Sequence, residues 1–164
     1  MNFFELKNVI SKIVGLRFTN VGGACNMLMF TFGSNDVEYA IHAQCFTRII
    51  KNDDILVTTF DWQSWDGKNE ENNDYLYNLK KFKPDIEGGI VVLVEVNTLF
   101  DVTITLDNGV TIQIFIDNSY QHYNDEWEQY RFFQCSPEDE ADKSDNIPPH
   151  YVVYSKYIEI HGEK

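Results

Sequence analysis

"FDVTITLDNGVTIQIFID", residues 100–117, decides the fold class. Val102, Ile104 and Leu106 alternate with Thr103 and Thr105, and Val110, Ile112, Ile114 and Ile116 resume the alternation after Asp107-Asn108-Gly109. A period of two is the signature of a strand with one buried face. Asn-Gly between two such runs predicts a hairpin, because both residues tolerate positive φ. Working outward, most of the chain keeps this period. "MLMFTFGSNDVEYAIHAQC" (27–45) predicts a hairpin through Ser34-Asn35-Asp36, and "DILVTTF" (54–60) a further strand. "IVVLVEV" (90–96) is almost continuously apolar and predicts a strand buried on both faces. "EWEQYRFF" (126–133) and "HYVVYSKYIEI" (150–160) complete the set.

Two segments break the period. Phe3, Leu6, Ile10 and Ile13 recur at helical spacing, with Val9 and Val14 widening the stripe. Asn2 followed by Glu5 has the form of a capping box, and Gly15 is placed to stop the helix. "NNDYLYNLKKFK" (72–83) predicts a short helix before Pro84, with Gly88-Gly89 breaking the chain after it. The expected architecture is α+β: an N-terminal helix packed on a curled, predominantly antiparallel sheet of about eight or nine strands, or a half-open barrel. One domain is expected over residues 1–164. "SPEDEADKSDNIPP" (136–149) holds five acids, one lysine and three prolines, and is expected to be a mobile loop.

Composition narrows the function classes. The hydrophobic fraction of 43% and aromatic fraction of 15% are those of a globular chain. No run approaches the roughly 18 apolar residues of a membrane span. The start, "MNFFELKNVISKIV", lacks a basic leader and a cleavage site, and three cysteines without CxxC fit a reducing compartment, so a cytoplasmic protein is expected. The formal charge of −13 disfavours nucleic acid and anionic lipid, and attracts basic proteins.

No constellation of residues specifies catalysis. GxSxG, HExxH, a Gly-rich phosphate loop and a CxxC pair are all missing from the sequence, so neither an enzyme nor a cofactor is expected. His42, His122, His150 and His161 fall in four separate segments. His122 with Asp125 and Glu126 offers ligand types, but at a spacing that builds no metal site, and a surface loop is the expectation. With Gly33 facing Val37 in the first hairpin, Cys25 is expected opposite Cys45, on a face shared with Met27, Met29, Tyr39 and Ile41. Two buried free thiols are favoured over a redox pair, since free cysteine behaves as a small hydrophobe.

Charge and tryptophan coincide. "DWQSWDGKNEENND" (61–74) carries five acids and one lysine, "DEWE" (125–128) three acids around Trp127, and so all three tryptophans lie in or beside acidic segments. Trp62, Trp65 and Trp127 with Asp66, Glu70, Glu71 and Asp74 are the candidate partner-binding residues: indoles supply buried area and carboxylates steer a basic partner. The bland alternative makes the tryptophans lids over the core. Within 126–133, Trp127 is in phase with Gln129 and Arg131, against Glu128, Tyr130 and Phe132. A different class, a small-molecule binder or enzyme, would use a pocket in the curled sheet lined by Tyr39, His42, Phe115 and Tyr130.

The order "TRIIKNDDILV…FD", "VNTLFDVTITLDNGVTIQIFID" and "DEWEQYRFF", spanning about residues 46–133, resembles a group of small, largely uncharacterised bacterial α+β proteins. Some of that group are similar to immunity proteins encoded beside secreted toxins. Arg48, Asp101, Gly109, Phe115, Glu126 and Trp127 match its pattern, while Thr47 stands where tryptophan is usual and Val102 where leucine is. The resemblance implies no catalytic residue. It implies a protein-binding module, antidote-like, masking a basic toxin or nuclease.

Overall fold

Helix α1 (Phe3–Ile10) starts where the sequence places it. Asn2 Oδ1 accepts from the amides of Phe4 and Glu5 at 3.0 and 3.2 Å, and Glu5 Oε2 accepts from the Asn2 amide at 2.8 Å. Three of the helix's orphan donors are thereby satisfied. A 3-10 turn (Ser11–Ile13) extends it, and Gly15 at φ 85° ends the segment. The computed structural model describes residues 1–34, 36–69, 72–119, 127–135 and 148–162. Leu6, Ile10 and Ile13 are wholly buried, so the apolar stripe faces the core.

The described residues form two antiparallel sheets, not one curled sheet or half-open barrel, and eleven strands rather than eight or nine. The first sheet contains β1 (Phe18–Ala24), β2 (Met27–Ser34), β3 (Val37–Ala43), β9 (Tyr130–Gln134), β10 (His150–Val153) and β11 (Ile158–His161), in that spatial order. The second runs β5 (Asp54–Thr58), β4 (Phe46–Lys51), β8 (Val110–Phe115), β7 (Val102–Leu106), β6 (Val91–Val96). Alternate residues of both sheets, such as Phe30, Phe32, Ile41 and Phe132 from the first and Ile49, Ile104, Ile112 and Ile114 from the second, merge into one apolar core. Full burial of each such side chain contributes about 1.5–3 kcal/mol, so this shared core is what holds the two sheets together.

The 100–117 hairpin forms as β7 and β8, with one refinement. Of its turn residues only Gly109 takes a positive φ, 84°, while Asn108 Oδ1 accepts from the Val110 amide at 3.2 Å. The connection is therefore a three-residue loop closed by one left-handed residue. A second tight turn joins β4 to β5, where Asn52 and Asp53 sit at φ 50° and 68° between the paired Lys51 and Asp54. Here both central residues are left-handed, the twist that a two-residue hairpin prefers.

Three expectations are corrected. The 27–45 hairpin pairs Ser34 with Val37 and Gly33 with Glu38, one residue out of the expected register. A slip of one exchanges the two faces, and the chain has already turned at Cys25 (φ 51°), between β1 and β2. Cys25 is consequently exposed and Cys45 buried, and they do not face each other. The 90–96 run is the edge strand β6, with Val92, Leu93 and Glu95 exposed, because the register shifts between Val91 and Leu93 at the sheet's rim. Helix α2 (Asp74–Ile86) runs two residues past Pro84 before ending.

Helix α2 also closes the free edge of β1. The Val21 amide donates to Glu87 Oε1 at 2.7 Å, and Lys83 Nζ donates to the Val21 carbonyl at 3.1 Å. One i,i+4 ion pair, Lys83–Glu87 at 3.3 Å, thus occupies edge groups that would otherwise invite another strand. No helix among the described residues is long and apolar enough to cross a membrane.

Candidate functional site

The three tryptophans divide into two environments. Trp62 lies on a 3-10 helix (Thr59–Ser64) whose start is fixed by a reciprocal cap, with the Thr58 hydroxyl accepting from the Asp61 amide and Asp61 from the Thr58 amide. Its ring packs on the core, 4.9 Å from the Trp65 ring and 6.1 Å, edge-on, from that of Tyr75 on α2. Trp65 Nε1 donates to the Asn69 carbonyl at 3.1 Å. Trp62 and Trp65 therefore form one half-buried aromatic cluster with Tyr75.

The acids beside that cluster serve the loop itself. Asp66 accepts from the Lys68 and Asn69 amides at 2.8 and 3.1 Å and from Asn72 Nδ2 at 3.1 Å. Those bonds, led by the one from Lys68, hold its carboxyl below the usual range. Asp74 opens α2, its amide donating to Ser64 Oγ at 2.9 Å. Glu70 and Glu71 lie outside the described residues, as do Glu126, His122 and 136–147 of the acidic segment.

Trp127 is different. It stands just before β9 rather than in it, is 66% exposed, and borders a cleft of about 440 Å³ shared with Asn26, Gln44 and Glu128. Each wall has a structural cause. Asn26 belongs to the β1–β2 turn, which Tyr75 anchors by donating its hydroxyl to the Met27 carbonyl at 2.6 Å. Close packing of that tyrosine requires Gly23, since a Cβ there would lie 2.6 Å from the Tyr75 oxygen. Gln44 sits in the β3–β4 link, where the amides of Gln44 and Cys45 both donate to the Gln129 carbonyl, at 2.8 and 3.1 Å. The buried Gln129 side chain in turn donates to the Trp127 carbonyl at 3.2 Å and accepts from the Asp117 amide at 3.1 Å. One glutamine thus ties the tryptophan's backbone to both sheets.

Glu128 is held by Arg131, whose Nε donates to Oε1 at 2.6 Å and whose Nη2 donates to Oε2. This two-point pairing keeps the guanidinium firmly protonated, the hydrogen bonds to Glu128 being the main cause. Arg131 lies on the outer face of the first sheet, paired across strands with His42 and Val152. Phe133 follows on that face, its ring stacked 4.5 Å from His150 and edge-on 5.0 Å from His42. His161, paired with His150 across β10 and β11, contacts Glu159 at 2.9 Å. Three histidines that the sequence leaves far apart therefore share one sheet face. Burial first, then the nearby Arg131 charge, lowers the pKa of His42 and of His150. Among the described residues no group of three His, Cys, Asp or Glu is placed to hold a metal.

The alternative pocket does not assemble. Tyr39 and Tyr130 both lie on the core side of β3 and β9 but at opposite ends of their pairing, Tyr39 facing Gln134 and Tyr130 facing Ala43. Tyr130 is wholly buried and donates to the Phe100 carbonyl at 2.7 Å. His42 points to the opposite face, and Phe115 belongs to the other sheet, under the Arg48 guanidinium at 5.3 Å. Glu128 directly follows Trp127 in the "DEWE" stretch, whereas Asn26 and Gln44 carry no motif and come to Trp127 only through strand pairing.

No family model, no curated protein and no solved structure matches this chain. Its class is accordingly defined by its own geometry: an antiparallel α+β protein of two sheets with an exposed tryptophan beside a polar cleft.

Proposed function

We propose that this chain is a protein-binding module whose Trp127 cleft docks a basic protein, in the manner of an antidote that masks a toxin or nuclease. The observation that carries this reading is Trp127 itself: the largest apolar side-chain type, two-thirds exposed at 66%, held at a cleft by a buried glutamine. Leaving such an indole in water is unfavourable unless a partner covers it, and tryptophan leads the residue types that anchor interfaces. The chain's charge of −13 supplies attraction over a Debye length for a partner of opposite sign. The antidote-like character follows from the resemblance over residues 46–133 and stands or falls with the partner.

Affinity capture from the source cells with wild type and Trp127→Ala, followed by identification and calorimetry, tests the proposal. A basic protein held by wild type and weakened by about 2 kcal/mol or more in the variant is the expected result. Capture of no basic protein, or equal binding by both forms, removes it.

A further inference from the structure

We infer that the Trp127 cleft is a seat for an arginine side chain of the partner, selective for arginine over lysine. This inference rests on the proposed docking of a basic protein and adds the chemistry of the contact.

The cleft offers one flat aromatic surface and a set of acceptors. Trp127 presents an exposed ring, and Glu128, Gln44 and Asn26 stand around the same space of about 440 Å³. A guanidinium laid on an indole keeps its in-plane donors free to reach sideways, whereas an ammonium has no plane to stack. Glu128 already binds one guanidinium at two points, that of Arg131. A carboxylate has about four lone-pair sites, so each oxygen retains one after Arg131 is served. The Asn26 and Gln44 side chains are exposed and make no hydrogen bond among the described residues, so their carboxamide oxygens are open to an incoming donor. Arg131 offsets the Glu128 charge, so attraction inside the cleft depends on geometry more than on net charge. A planar donor group therefore gains more there than a point charge.

The test uses the whole chain, triarginine, trilysine and tricitrulline peptides, and the three indole N–H signals in ¹⁵N-resolved spectra at near-physiological salt. Triarginine is expected to shift the Trp127 indole and the Gln44 and Asn26 side-chain amides, leaving the Trp62 and Trp65 indoles in place. Trilysine should bind at least about fivefold more weakly, and uncharged tricitrulline should leave Trp127 unmoved. Gln44→Ala, at an exposed link position, should weaken triarginine about threefold or more with unchanged urea unfolding. Equal shifts with trilysine, or shifts spread over the acidic segments with none at Trp127, overturn the seat. The two ideas separate cleanly. A basic partner lost in Trp127→Ala, with triarginine silent at the cleft, leaves the docking function and removes the arginine seat. Triarginine bound at Trp127 with no basic partner found does the reverse.

Discussion

Tyr130→Phe removes a single oxygen and probes how the two sheets are joined. Tyr130 is wholly buried on β9, and its hydroxyl donates at 2.7 Å to the carbonyl of Phe100, in the β6–β7 connection of the other sheet. Phe100 sits at φ 69°, a left-handed conformation costing a non-glycine residue about 1–2 kcal/mol. The bond to Tyr130 is part of what holds it there. Without the hydroxyl the carbonyl is left unpaired in a half-buried place, at a cost of about 1–3 kcal/mol, with partial relief from no longer burying the hydroxyl. The expected loss is about 2 kcal/mol in urea unfolding followed by fluorescence and circular dichroism, with unchanged denaturant slope. A second signature comes from alkali. Burial pushes the Tyr130 hydroxyl well above its ordinary 10.0, so the unfolded chain ionises first and wild-type stability falls as pH rises above that value. The phenylalanine variant lacks this contribution, so the gap between the two proteins should narrow in alkali. A variant within about 0.5 kcal/mol of wild type at neutral pH would show that the sheets are held by apolar packing alone.

Acid should destabilise the native state through the histidine face. His42 and His150 have native pKa values below 6.5, so the unfolded chain takes up protons first and stability is lost as pH falls through and below that value, until both states are protonated. Urea midpoints between about pH 7.5 and about pH 5 should fall in wild type and fall less in His42→Gln, and equal slopes would refute the assignment. The thiols should react in the order Cys25, Cys135, Cys45 with a disulfide reagent in the native protein. Cys25 is exposed, burial raises Cys135 to about 11, and deeper burial raises Cys45 further. Cys45 labelling as fast as Cys25 would contradict its place in the core. Gly109→Ala should cost about 1 kcal/mol or more, since φ is 84° and the added Cβ would lie 3.0 Å from Asn52 Oδ1. A variant as stable as wild type would remove the turn's conformational demand.

Local chemistry in the sequence determined much of the local structure. The Asn2–Glu5 cap, the helical stripe to Ile13, the helix from Asp74 and the strands around Asp107-Asn108-Gly109 are encoded by neighbours a few residues apart, and their periods are visible without a fold. Tertiary structure decided what depends on long-range pairing. Two sheets stand in place of one, and the apolar faces of β7–β8 and of β2–β3 join in a single core. A one-residue register, invisible in an alternating pattern, put Phe30 and Phe32 rather than Met27 and Met29 on the core face beside Ile41 and Tyr39, and Cys25 lies outside the core. The site shows the same division. Composition marked tryptophans among acids, yet the acid Asp66 was spent on its own loop and Trp62 on the core. Trp127 and its chain neighbour Glu128 gained Asn26 and Gln44 from segments up to about a hundred residues away, because strand pairing and the buried Gln129 draw them to one place. Period and capping are properties of adjacent residues, whereas a cleft belongs to contacts that only the closed core creates.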